Sequence, residues 1–239
     1  MRPLSPLELH GGVYMTHYVV RDDLSFCRVG EHFVFLDIDN DRYFSLPHSM
    51  ERTLASYLEG NRTPELDIGR LIERRILVDQ RSAAIGGRSN TKPAARSAME
   101  APIPAQKLRL FDLLEVLAIV LRTRLELKLF TLKHVLHGLG AGRRFPVAQI
   151  TPLAALLEHR LLDAAAIFRH ARLYVPVDMR CLLDSIAMAK FLRRRQLHAH
   201  IVFGVALDPF SAHCWVQLDD YVLNDTVGNV NSHTPIRVV

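Results

Sequence analysis

An α+β chain in two parts follows from three features of the sequence. Short strand-like runs occupy residues 24–46, apolar residues recur at helical spacing from 108 to 192, and strand alternation returns between 199 and 225. Between the parts, residues 82–106 lose all periodicity: Gly86-Gly87, Ser89, Asn90, Pro93, Pro102 and Pro104 stand among many alanines. Such a stretch cannot bury enough apolar surface to offset its ordering entropy. It therefore reads as a flexible linker between a domain at 1–81 and a larger one at 107–239.

Taken in order, Leu24 to Val29, His32 to Ile38 and Arg42 to Leu46 are strands separated by turn residues, Gly30-Glu31 and Asp39-Asn40-Asp41. They predict a three-stranded antiparallel meander. Ser49 is placed to cap a helix with Leu54, Tyr57 and Leu58 inward and Gly60 at its stop. Thr63-Pro64 opens a second helix through Leu71 and Ile72, and Ile76-Leu77-Val78 closes the unit. Three strands followed by helices in about 80 residues is a winged-helix-like layout.

The second domain starts with Leu108, Phe111, Leu114, Leu117, Leu121, Leu125, Leu129 and Leu132 at helical spacing, and a further helix runs from about Pro152 to Leu173. Cys181 to Leu192 is apolar on almost every side, which predicts a helix buried in the middle of the fold. Strands follow at Ala199 to Leu207, Ala212 to Leu218 and Tyr221 to Asp225.

Bulk properties exclude several functions. The formal charge of +5 is spread out, and no basic helix interleaved with aromatics suggests nucleic acid. The densest cationic run, Arg193-Arg194-Arg195, reads as a solvated helix end. Leu108 to Val120 is broken by Arg109, Asp112 and Glu115 and is too short to span a bilayer, so no membrane partner is expected. Met1 to Leu9 lacks the apolar stretch of a signal peptide. Three cysteines form neither a disulfide framework nor a CxxC site, and His198 and His200 have no further ligand at metal spacing. No metal or cofactor is implied, and a reducing cytoplasm fits.

The chemistry centres on Cys181. Asp178 as N-cap would put this thiol in the first turn, at the positive end of the helix dipole, and a thiol reacts as its thiolate. Cys27 lies in a strand with no partner in view. In Ala212-His213-Cys214-Trp215-Val216-Gln217-Leu218, alternation sends Cys214, Val216 and Leu218 to the core. His213, Trp215 and Gln217 share the other face, where the sole tryptophan would shield the site from water. A three-residue loop at Leu218-Asp219-Asp220 would set Gln217 opposite Tyr221 and His213 opposite Asp225, with Cβ atoms roughly 5 Å apart. A two-residue turn would bring Asn224 to that face instead. Asp225 is the expected partner of His213, with Asn224 second. The second oxyanion donor, beside the Cys181 N–H, is not assigned.

Cysteine at a helix start, histidine on a strand and carboxylate on the next strand is the order used by papain-like and transglutaminase-like enzymes. More specifically, the run from Cys181 through Ala187, Leu192 to Arg195, Phe203-Gly204-Val205, Pro209 through Val216, and Val222 to Asp225 resembles the B proteins of lasso-peptide biosynthesis. Those are transglutaminase-like cysteine peptidases that remove the leader from a ribosomally made precursor. Asp184, Cys214 and Gln217 depart from the usual residues of that family, and Asp184 would oppose thiolate formation if it faced the site. The first domain resembles a leader-recognition domain similar to the pyrroloquinoline-quinone chaperone. That resemblance implies a leader strand added beside Arg42, Tyr43, Phe44 and Leu46, with docking near Leu71, Arg74 and Arg75. It also implies an ATP-using macrolactam synthetase as pathway partner. An acyltransferase with the same triad, or a non-catalytic precursor-binding adaptor, are the alternatives.

Overall fold

The computed structural model describes residues 18–61, 65–79, 91–100, 108–140 and 151–239, the segments 65–67, 140 and 151–155 by backbone path alone. The architecture is α+β, with strands and then helices in the N-terminal part. β1 (Tyr18–Val20) precedes a meander of β2 (Leu24–Val29), β3 (His32–Asp37) and β4 (Arg42–Ser45). α1 (His48–Leu58), α2 (Glu65–Glu73) and β5 (Leu77–Asp79) complete the unit. The meander forms with Val29 opposite His32; in its second hairpin Asp37 lies opposite Arg42, so Ile38 belongs to the loop and not, as expected, to the strand. Gly30 makes its first turn with φ +59, a conformation glycine adopts without steric cost.

α1 begins after Pro47 and has no side-chain cap, so Ser49 lies inside the first turn and does not cap it. The Thr63-Pro64 start of the second helix lies outside the described residues. β1 was not anticipated; it pairs antiparallel with β5.

β3 is buried on both sides. Phe33 and Phe35 join Leu46, Met50, Leu54, Leu71 and Leu77 in a core belonging to the N-terminal unit. Val34 and Leu36, one residue out of phase, pack with Leu132, Val135, Ile186, Ile201, Phe203 and Ile236 of the C-terminal part. Arg237 Nη1 donates to Ser25 Oγ at 2.8 Å, and Lys133 pairs with Asp39 at 3.2 Å across the same seam. The two parts therefore share a core.

The C-terminal part contains β6 (Arg96–Ser97), α3 (Leu110–Leu129), α4 (Leu132–Gly140), α5 (Thr151–Arg172) and α6 (Cys181–Arg194). These are followed by β7 (His200–Ala206), β8 (Ser211–Leu218), β9 (Tyr221–Val222), α7 (Val227–Asn231) and β10 (Thr234–Val238). The sheet order is β10-β7-β8-β9-β6. β6 lies parallel to β9, while the other pairs are antiparallel. Residues 91–100, expected within the flexible linker at 82–106, thus form a sheet edge: Ala94 and Ala98 are buried there, and Ala98 N–H donates to Val222 O at 2.8 Å. The rest of 82–106 lies outside the described residues.

α6 is the buried central helix the sequence predicts, with Leu183, Ile186, Ala187, Met188, Phe191 and Leu192 sealed from water. α3 buries a different face from the one its leucine spacing suggests. Val116, Ile119, Val120 and Thr123 point inward, and Phe111, Leu114, Leu121, Leu125 and Leu129 are exposed. Charged residues such as Asp112, Glu115, Arg122, Glu126 and Lys128 are interspersed among its apolar ones, so leucine periodicity alone did not mark its core side. The arginines that end α6 are a partly solvated helix end that is also paired: Arg194, though exposed, and Arg195 pair with Glu115 at 3.0 and 2.8 Å, and Arg193 donates to the Gly138 and Leu139 carbonyls.

Candidate active site

The first turn of α6 and the exposed end of β8 meet at Cys181 and His213. Cys181 is the first helical residue and reaches solvent. Its N-cap is Arg180 in extended conformation, and no side chain caps the helix; Asp178 contributes only its carbonyl, which accepts from Arg172 Nη2 at 3.0 Å. Asp184, three residues beyond Cys181, accepts the Arg180 N–H at 3.0 Å and pairs with the buried Arg172 at 2.6 Å. Its charge is thus committed to holding the loop before α6, so it does not stand uncompensated against the thiol.

His213 has Asp225 and Cys181 as its two side-chain partners. Nε2 contacts Asp225 Oδ2 in a short hydrogen bond, which leaves Nδ1 for Cys181. His213 is the strongest cause of a Cys181 pKa below the ordinary thiol value. Burial opposes it, and the backbone N–H groups of Leu182 and Cys214 assist. His213 itself is raised to about 9, by the Asp225 hydrogen bond first and the Cys181 thiol second. Burial pushes the Asp225 carboxyl up, yet His213, the Thr226 N–H and the Asn229 amide together hold it below its usual value. The other two cysteines contrast: burial raises Cys27 to about 11 and pushes Cys214 higher still.

Asp225 reaches His213 by a route different from the expected one. The hairpin has a two-residue turn at Asp219-Asp220, with Leu218 opposite Tyr221 and Gln217 opposite Val222, so the three-residue loop is corrected. Asp219 adopts φ +51 in this turn. β9 ends at Val222, and the chain beyond it is no longer bound to strand alternation. Asn224 turns inward, where its Oδ1 accepts the Val216 N–H at 2.7 Å and its Nδ2 donates to Ser185 Oγ at 2.9 Å. Asp225 then points outward to His213. Ser185, one turn along α6 from Cys181, donates to Cys214 O at 3.0 Å and so ties the thiol's helix to the histidine's strand.

Trp215 lies behind His213, the ring centroids 5.9 Å apart and 21° from parallel. It is buried, with Nε1–H donating to Gln217 Oε1 at 2.8 Å. It shields the imidazole from behind and does not line a substrate surface, contrary to its expected binding role. Gly204 makes room for it, since a Cβ there would come within 2.6 Å of the indole.

The residues expected to bind a leader divide by exposure. Arg42, Arg74 and Arg75 are exposed, while Leu46 and Leu71 are core residues with no surface to offer. Phe44 is partly buried, stacked on Phe35 at 5.1 Å. Tyr43 is half-buried, its ring 5.9 Å from Phe210 in the β7–β8 loop. Burial raises its phenol above the ordinary value. Sequence reasoning missed Asn229, whose Nδ2 donates to Asp225 Oδ2 at 2.9 Å, and His233, 5.2 Å from His213. No local pattern marks either one. Ser185 did carry a signal, as a polar residue in an otherwise apolar helix. Among the described residues no cluster of histidine, cysteine and carboxylate side chains suits a metal, and no helix is long and apolar enough to cross a membrane.

Comparison with known proteins agrees with this geometry. The model of the transglutaminase-like superfamily matches residues 119–238. The microcin J25-processing protein McjB of Escherichia coli is 42% identical over 45 residues, which cover 19% of this chain and 22% of that protein. No solved structure matches the chain.

Proposed function

The chain belongs to the transglutaminase-like superfamily, and we propose that within it the protein is a cysteine peptidase that removes the leader from a ribosomally synthesised lasso-peptide precursor. One observation carries this reading: a solvent-reaching thiol at a helix start, acidified by a histidine that a carboxylate holds at its far nitrogen. The similarity to a microcin-processing protein supports the choice of substrate.

In the proposed cycle Cys181 Sγ attacks the carbonyl at the leader–core junction as its proton resides on His213 Nδ1. The Cys181 N–H, one of the unsatisfied donors of the first turn, faces the developing oxyanion. His213 then protonates the leaving amine and the acyl-enzyme forms. Water, deprotonated by His213, hydrolyses it to a free leader carboxylate. Asp225 keeps Nε2 occupied throughout, so Nδ1 always faces the reaction. The freed core peptide would pass to an ATP-using macrolactam synthetase, and a reducing cytoplasm would keep the thiol free.

Incubation with the precursor encoded beside the gene, followed by mass spectrometry, tests the reading. Two peptides whose masses sum to precursor plus water are expected, and Cys181→Ala should abolish them. Undiminished processing by Cys181→Ala would mean that the protein is a binding adaptor. A leader product whose terminal carbonyl is joined to an amine as an amide, in place of a free carboxylate, would mean acyl transfer.

A further inference from the structure

We infer that residues 91–100 form a strap that braces the His213–Asp225 pair, with Ser97 as its positioning residue, so that the catalytic unit starts before the region matched by its superfamily. This rests on the triad reading above.

The need for a brace follows from where Asp225 lies. It is three residues past the last residue of β9, beyond the ladder that fixes His213. The strap supplies what the ladder does not. Ser97 is buried, and its Oγ accepts the Met99 N–H at 2.9 Å, which directs the hydroxyl proton to the main-chain carbonyl of Asp225. Three residues past Ser97, Glu100 Oε1 accepts the Val227 N–H at 3.1 Å. Asn231 Nδ2 donates to Ala94 O at 3.0 Å, so both ends of α7, whose Asn229 touches the Asp225 carboxylate, are tied to the strap.

The strap also reaches the histidine. Lys92 O accepts from Gln217 Nε2 at 2.7 Å, Gln217 accepts from Trp215, and Trp215 stacks on His213. The strap is itself anchored. Ala95 and Arg96 N–H groups bond the Asp220 carbonyl at 2.9 and 3.1 Å, and the Arg96 guanidinium pairs with Asp220 at 2.9 Å and Glu158 at 2.7 Å. One short segment thus holds the loop of the carboxylate and the stack behind the imidazole.

Alkylation of Cys181 by iodoacetamide in the full chain, followed across pH by peptide mass spectrometry, tests the strap without any substrate. Ser97→Ala should slow alkylation near neutral pH between about 2- and 12-fold, the equivalent of one neutral hydrogen bond, and move the midpoint of the profile upward. Asp225→Asn should slow it more, and the double variant should match Asp225→Asn alone. Ser97→Thr, which keeps the hydroxyl, should restore the rate. A Ser97→Ala profile that overlays the wild type, or a loss that simply adds to that of Asp225→Asn, overturns the strap. Should Ser97→Ala fail to fold, Glu100→Ala at the exposed end decides: a slower rate supports the strap and an unchanged one overturns it. An Asp225→Asn variant as reactive as the wild type would sink the triad reading instead.

Discussion

At the scale of single residues, the charges on Cys181 and His213 depend on each other. The imidazolium is held up to about 9 by Asp225 and by the thiol, and it in turn lowers the thiol. Peptide cleavage that needs a protonated His213 to release the amine should therefore persist through neutral pH and decline as pH rises through about 9. Stability follows the same sign. His213 binds its proton more tightly when folded than at its ordinary 6.5, so its contribution is complete below 6.5 and lost as pH rises through about 9. Melting temperatures measured on both sides of that window should fall for the wild type and change less for His213→Ala. Cys181 and His213 were legible in the sequence because helix starts and strand alternation are local rules. The path of Asp225 was not, since it depends on Asn224 turning toward Ser185 in another element. Asp184, which looked unfavourable beside a thiolate, was misread for the same reason: its partner Arg172 comes from α5.

At the scale of elements, α6 and β8 form the frame, and its fit is tight where β7 passes behind the site. Gly204 lies beneath the Trp215 indole, and a Cβ there would stand 2.6 and 2.7 Å from two ring atoms and 3.0 Å from His233 Cβ. The indole cannot yield easily, because it is buried and held by Gln217. Gly204→Ala should destabilise the protein by about 1–3 kcal/mol, seen as a lower urea midpoint, and should alter Trp215 fluorescence as the ring tilts from His213. A wild-type midpoint and spectrum would show that the ring is free to move. A glycine within a strand-like run was visible in the sequence; the ring above it was not, because it comes from the neighbouring strand. α6 was legible for the opposite reason, since apolar residues on every side demand burial whatever the partner. In α3 the leucine spacing pointed to the wrong side, because burial was decided by β-branched residues against α5 and α6.

At the scale of the whole molecule, the two halves share their packing. β3 gives Phe33 and Phe35 to one core and Val34 and Leu36 to another that includes Ile201, Phe203 and Ile236. The sequence showed β3 as a strand; nothing in it said that its second face meets a sheet more than 160 residues away in the chain, as Val34 does with Ile201 and Phe203. Removing residues 1–81 would uncover that second core face. Burial of this kind couples the stabilities of the parts, so the full chain should unfold in one transition. The sole tryptophan makes the test direct: Trp215 fluorescence reports the C-terminal sheet alone, whereas far-ultraviolet circular dichroism reports both halves. The two urea curves should coincide. Val34→Asp, which puts a charge into the shared core, should shift both to lower denaturant together. If dichroism instead shows a separate early step while the fluorescence midpoint stays at its wild-type value, the halves are independent domains.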